Sequence, residues 1–558
     1  MRCEGQVVEV CNADGTGETA RETCDISRAI ACRNGSCQPL CEHARRVKSN
    51  VGCEYWAADL DNAMVDTSRN AAAQQFAIVI SNPQPDLAAN VTIEQDDSLP
   101  GEAAQVRTVA QATILPRNLE TFRLGPREVD GSKDGEFNTG TGTALTRHAY
   151  RVKSQVPIVA YQFNPLENVN VFSNDASLLK PVEALTYDVG TMGRAYVAVG
   201  WPQTIASTDD PNTNFNPQNP IDLRAFLTII GTRPGTHVRV STATRIIAGG
   251  PVAETPRGGI IDATLEPFDV LNLETGGINA DFTSSMIDAD QPIVVFSGSE
   301  ASDAPVFQDL AARFCCADHL EEQLDPIRTA GQRFVLAHAP SRTQAIKNAG
   351  GAIGVVPEPE YFRIVAVSEK GANVVTSLPP PDDSFRLQRR GDVRDLVTHG
   401  DAYVQSDGPV IVSDVQAGQE AAMVPRGLPG GDPSLIIVPP IEQYRSDYTF
   451  LTPDKYAFDF IIVMAPPGAT VALDDQVLDS SRCEVGEVPD HVVYRCQLSF
   501  PKIDPTRTTN SVMPGVQNDG VHRVASSAPV GVLVFGWDSF VSYGYAAGTE
   551  LEEINVVR

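Results

Sequence analysis

Acid-rich segments hold the side chains best suited to ligand chemistry. Asp59-Leu60-Asp61-Asn62, followed by Asp66, gathers three carboxylates in one stretch, and Ser207–Asn214 sets Asp209 and Asp210 among Ser, Thr and Asn oxygens. A calcium ion takes about six to eight oxygen ligands, and loops of this composition supply them. Neither segment has EF-hand spacing, and Asp, Asn and Ser are equally turn and cap residues. Calcium is therefore a cofactor the chain could take and none that any motif demands.

Cys315-Cys316-Ala317-Asp318-His319-Leu320-Glu321-Glu322-Gln323 is the densest cluster of reactive residue types. Thiolates with an imidazole suit zinc. Adjacent cysteines are poorly placed to chelate one tetrahedral ion, and no second His/Cys pair lies at ligand spacing. Disulfide bonding is the better reading, between the neighbours or from each to a distant partner. Eleven cysteines occur in all, and seven of them (Cys3, Cys11, Cys24, Cys32, Cys37, Cys41, Cys53) fall within the first 53 residues. That density belongs to a disulfide-stapled module in an oxidising compartment, with connectivity left open. Cys483 and Cys496 flank Val492-Val493-Tyr494; a bridge there would stabilise by roughly 3 kcal/mol. An odd total leaves at least one cysteine free, intermolecular or paired outside this sequence.

Catalytic signatures point nowhere. The chain has no His-Glu-x-x-His, no Gly-x-Ser-x-Gly and no phosphate loop. Ser297-Gly298-Ser299-Glu300 and Gly536-Trp537-Asp538-Ser539 read as Ser-rich turns after Pro-led strands. A secreted hydrolase using carboxylates from distant loops remains an alternative. With 71 acidic against 43 basic residues the net charge is −28, which repels nucleic acid. The apolar runs are short, Val530–Phe535 among the longest, so no transmembrane segment is expected. Met1 is followed at once by Arg2 and Cys3, which reads as an exported chain without its signal peptide, placed outside the cell or on its surface. Arg in excess of Lys, with abundant Ala, fits a GC-rich bacterial genome.

A repeated phrase shows what must position these residues. A Ser or Asp, a short spacer, then Pro followed by Ile or Val recurs at Pro157, Pro292, Pro409 and Pro529, in steps of 135, 117 and 120 residues. Each phrase closes a unit with an early strand pair, such as Phe76–Ile80 followed by Asn90–Ile93, whose second member alternates apolar and polar residues. Pro181, Pro326 and Pro440 each precede an aromatic-led strand, at Tyr196, Phe334 and Tyr448. The period is that of a β-sandwich and exceeds a propeller blade of about 40–50 residues. The fold class is all-β: about four tandem sandwiches, at 46–180, 181–325, 326–439 and 440–558, behind a Cys-rich module at 1–45. His43–Lys48 reads as a solvated linker. Apolar spacing predicts one short helix near 306–324, stopped by Pro326. Long insertions at 200–222 and 379–396 are the expected contact loops.

Val51-Gly52-Cys53-Glu54-Tyr55-Trp56-Ala57-Ala58-Asp59-Leu60-Asp61-Asn62 resembles the opening of the IgGFc-binding protein N-terminal domain family. The Cys315–Gln323 cluster and Ser542-Tyr543-Gly544-Tyr545 are similar to further signatures, extending the resemblance over roughly residues 50–558. The resemblance implies an exported protein of the kind abundant in myxobacteria, and it assigns a ligand-binding role to no residue here. Together these readings lead to a non-enzymatic surface adhesion protein whose sandwich loops meet a protein or glycan. Immunoglobulin Fc is not the expected partner. A self-associating structural surface component is the other alternative.

Overall fold

Proline cannot donate to a strand ladder, and here the missing donor marks the point at which a strand changes sheets. The computed structural model describes every residue except 13, 67–68, 167–172, 186–193, 207–220, 505–511 and 556–558. Ahead of Pro157 the strand Ala149–Asn164 pairs with Ala89–Asp96 and Gly52–Ala58. Beyond it the same strand pairs with Ala77–Ser81 and Asp175–Leu178. Ala402–Gln416 repeats this about Pro409, with Ala372–Thr376 and Gly331–Leu336 first, then Glu360–Ala366 and Leu435–Ile437. Gly520–Asp538 repeats it about Pro529, with Val471–Leu473 and Arg445–Thr452, then Phe458–Ala465 and Val541–Ala546. In the second copy the long strand is split at Pro292. Met286–Ala289 pairs with Thr236–Ser241 and Arg194–Val197, and Ile293–Asp303 with Ala225–Gly231 and Ala317–Gln323.

The switch has a local cause. In three copies the opening strand loses register at the phrase, so that its first residue lies opposite the residue after Pro: Gly52 with Ile158, Gly331 with Val410, Arg445 with Val530. Ser154 and Ser526 each accept the backbone N–H two residues on, at 3.3 and 3.4 Å, satisfying a donor the broken ladder releases. Buried tyrosines then pin the strand just past Pro. The Tyr55 hydroxyl donates to the Ile158 carbonyl at 2.5 Å, Tyr196 to Ile293 at 3.1 Å, and Tyr448 to Val530. Phe334 fills that position in the third copy by packing alone. Each pair of half-sheets encloses a shared core; in the first it includes Tyr55, Ile78, Ile80, Val91, Val152 and Ile158.

The strands that follow the four long ones, Asp175–Leu178, Ala317–Gln323, Leu435–Ile437 and Val541–Ala546, pack in a ring: first on second, second on third, third on fourth, fourth on first. The ends of the chain seal that ring. Asn50 donates its N–H to the Thr549 carbonyl at 3.0 Å, Leu551 to Lys48 at 2.7 Å, and the Lys48 ammonium meets Glu553.

Three expectations need correction. Over 306–324 there is no α-helix: a single 3-10 turn, Leu310–Ala312, precedes the strand Ala317–Gln323, because ladder pairing with Ile293–Asp303 overrides the helical spacing of the side chains. The α-helices among the described residues are Leu40–Val47 and Arg342–Asn348. The first replaces the expected linker at His43–Lys48, buries Leu40 and Ala44, and is tied to the first opening strand by Cys41–Cys53. Residues 379–396 are not one long loop but contain the strand Ser384–Leu387 and the start of Val393–Thr398. The insertion at 200–222 lies largely outside the described residues.

Candidate functional site

The strand Gly52–Ala58 runs out into Asp59, Leu60 and Asp61, all buried, at the junction of the first and second repeats. There Asp61 meets Glu274, which ends the strand Val270–Glu274, and Glu300 in Ile293–Asp303. One carboxylate oxygen from each of the three lies within 4.8 Å of the others. All are 6 % exposed or less. Burial, with Glu300, Glu274 and Glu128 close by, holds Asp61 well above the usual carboxylate range; Glu300 is raised by burial and by Glu274. The positive charge at hand is Arg224, whose Nη1 donates to Glu274 at 3.2 Å and whose backbone N–H donates to Glu300 at 3.0 Å. Among the described residues no hydrogen-bond donor reaches Oδ1 of Asp61 or Oε1 of Glu128.

The loop that closes this pocket depends on glycine. Gly142 has φ +75°, and a Cβ there would collide with the Glu274 carboxylate and with Arg224. Asp130 holds the loop from inside, accepting Ser132 N–H at 2.7 Å and Gly140 N–H at 3.0 Å. Asp59 accepts Arg127 N–H at 2.5 Å, and burial pushes its carboxyl up to about 7. Of the calcium candidates that composition suggests, Asp59 and Asp61 are thus brought into one acidic pocket. Asp66 belongs to the short strand Met64–Asp66 with its side chain undescribed, and Asp209 and Asp210 lie outside the described residues.

The Cys315–Gln323 cluster is the ring's centre rather than a reactive surface. Asp318 accepts N–H from Asn174 at 2.7 Å and from Ser542 at 3.3 Å, linking the first and fourth repeats. Asp175 accepts N–H from Glu321 at 3.2 Å and from Leu435 at 3.1 Å, linking the second and third. Glu322 takes the Ser177 hydroxyl at 3.0 Å and faces the Lys180 ammonium at 3.7 Å. His319 is fully buried, and that burial pushes its imidazole down to about 3, so it stays neutral. Cys315 and Cys316 are joined to each other, which leaves no thiolate for a metal even though Asp432 is near.

The remaining cysteines pair as Cys3–Cys32, Cys24–Cys37 and Cys483–Cys496, with Cys11 exposed and free. Of the expected Ser-rich turns the first is strand interior, since Ser297, Gly298, Ser299 and Glu300 lie in Ile293–Asp303; in the second, Gly536, Trp537 and Asp538 end the strand Gly520–Asp538 and Ser539 enters the turn that follows. Glu274, Glu128 and Glu300 escaped notice as ligands because they lie in three separate segments, and nothing in sequence spacing joins them.

An open cleft of ≈ 570 Å³ lies between the third and fourth repeats, lined by His338, Ser341, Glu358, His399, Asp401 and Arg495 among others. Its groups are already engaged. His338 bonds the Ala339 and Glu358 carbonyls through its two ring nitrogens at 2.7 and 2.8 Å, and Arg495 pairs with Asp401. A second cleft of ≈ 580 Å³, in the first repeat with Gly250 of the second at its edge, is lined by Arg127, Lys133, Asp134, Arg147 and His148. Both are polar recesses.

The model of the IgGFc binding protein family matches residues 175–536, from the strand Asp175–Leu178 into the long strand Gly520–Asp538. The chain belongs to that family. The matched span contains the Cys315–Gln323 signature, whereas Val51–Asn62 and Ser542–Tyr545 lie outside it. No curated protein matches. Family membership together with five disulfides indicates an extracellular binding protein, and no helix among the described residues is long and apolar enough to cross a membrane.

Proposed function

We propose that this chain is an exported, non-enzymatic surface adhesion protein, a ring of four β-sandwiches at 46–180, 181–325, 326–439 and 440–558 that offers its polar recesses to a protein ligand. Membership of the IgGFc binding protein family carries the reading. The polar clefts supply the surface: the first sets Gln344, Glu484 and the paired Asp401 and Arg495 in its wall, and such a lining suits peptide or glycan groups. Function on a repeated scaffold resides in the parts that differ between copies, and the two clefts differ, one with Arg127, Arg147 and Lys133 in its wall, the other with Glu358 and Glu484.

A carboxylate hydrolase finds less support. The acids that converge, Asp61, Glu274 and Glu300, are buried away from substrate, and the cleft histidine His338 spends both ring nitrogens on carbonyls. Immunoglobulin Fc, the ligand in the family's description, is not favoured here, because no binding residue carries over to this chain. The test is a protein and glycan array probed with the purified full chain, repeated with Arg495→Ala. Capture of extracellular proteins that weakens at least tenfold in the variant supports the reading. Turnover of a glycan or peptide panel, or concentration-dependent self-assembly with no capture, would replace it by the hydrolase or the structural alternative.

A further inference from the structure

We propose that Asp61, Glu274 and Glu300 bind one calcium ion, which clamps the first repeat to the second. The donor set is all carboxylate oxygen, which selects a hard cation over zinc or copper. Ligand oxygens within 4.8 Å of one another fit inside a single calcium coordination sphere, whose Ca–O distances of about 2.3–2.6 Å place opposite ligands roughly 4.6–5.2 Å apart. Direct magnesium coordination, at about 2.1 Å, draws opposite ligands to roughly 4.2 Å and needs near-octahedral order.

Two observations independent of the triad's proximity point the same way. Oδ1 of Asp61, in a residue 2 % exposed, is buried with no hydrogen-bond donor among the described residues. Oε1 of Glu128, also 2 % exposed and close enough for its charge to act on those of Asp61 and Glu300, likewise has none. A buried carboxylate oxygen without a donor is costly unless a cation takes that place. Arg224 does not meet the need: it contributes one positive charge, directed at Glu274, and its side chain is 35 % exposed. At the ring centre Asp175 and Asp318 receive backbone N–H groups from neighbouring segments, whereas Asp61 faces Glu274 and Glu300.

The ion would join segments distant in sequence. Asp61 belongs to the first repeat, Glu274 and Glu300 to the second, and the Gly142 loop lies over them. Binding should therefore appear as stabilisation as well as uptake. The full chain, stripped with chelator and dialysed, is titrated with calcium chloride by calorimetry, with melting followed in parallel. One calcium per chain and a rise in Tm of at least about 2 °C at millimolar calcium are expected. Glu300→Gln should weaken uptake at least tenfold, whereas Asp318→Asn, at the ring centre, should leave it unchanged. Should Glu300→Gln fail to fold, terbium luminescence of the unaltered chain, displaced by calcium, reports occupancy of the same site. Absence of uptake at 10 mM calcium, equal affinity in Glu300→Gln and the unaltered chain, or magnesium binding as tightly as calcium would overturn the assignment.

Discussion

Asp175 and Asp318, at the centre of the ring, each accept two backbone N–H groups from neighbouring segments, whereas Asp61, at the junction of the first two repeats, has an oxygen that no donor among the described residues reaches. The two regions bury acids equally well, and burial raises Asp61, Asp175 and Asp318 alike. They differ in what faces the charge. Amides fixed by strand geometry make the central carboxylates connectors, able to hold four repeats in register. Carboxylates facing carboxylates make the junction a place that gains from a cation. A buried acid therefore says little by its burial, and its partners decide whether it is structure or site.

The sharpest break in that comparison is Asp175→Ala. It orphans two buried N–H groups at about 1–3 kcal/mol each, so a loss near 4 kcal/mol is expected, visible as a lower Tm that calcium does not restore. Next is Glu322, whose carboxyl burial pushes up to about 7 against the pull of Lys180 and the Ser177 hydroxyl. A raised carboxyl stabilises the fold while protonated, fully so below its ordinary range, and that contribution disappears as pH climbs through about 7. Relative to Glu322→Gln, the unaltered chain should accordingly lose about 3 kcal/mol between pH 4.5 and 8, read from denaturant unfolding at each pH. A pH-independent difference would mean that Lys180 keeps Glu322 ionised throughout.

Smaller and opposite in sign is Asp61→Asn in chelator at neutral pH. Relieving like charge should stabilise the calcium-free chain by about 1 kcal/mol, and destabilisation of the Asp175→Ala kind would erase the distinction between the two regions. Least of all is Lys153→Gln, which removes a half-exposed partner of Glu94 and should shift stability by no more than about 0.5 kcal/mol. A larger effect there would show surface charge, rather than buried charge, governing this acidic chain.

Much of the scaffold was legible because it is written locally. The four Pro-Ile/Val phrases, the aromatic openings and the alternating second strands of each pair all have counterparts in the strand pairing. What failed was equally local. The helix expected near 306–324 came from apolar spacing that a fully buried strand also tolerates, and one of the two Ser-rich turns came from small residues that lie inside a strand. The candidate site was half visible: Asp59 and Asp61 stood out as a cluster, while Glu128, Glu274 and Glu300 lie in three separate segments that no spacing connects.

By itself the sequence determined an all-β, disulfide-bearing chain and the places where each long strand must break its ladder, because Pro withholds a donor wherever it stands. Tertiary structure alone decided that the four following strands meet in a closed ring, that Cys315–Gln323 lies at its centre, and that Asp61 faces Glu274 and Glu300. The reason is physical. A missing N–H is a property of one residue, whereas the partner of a buried charge depends on which distant segments the packed repeats bring within a few ångströms.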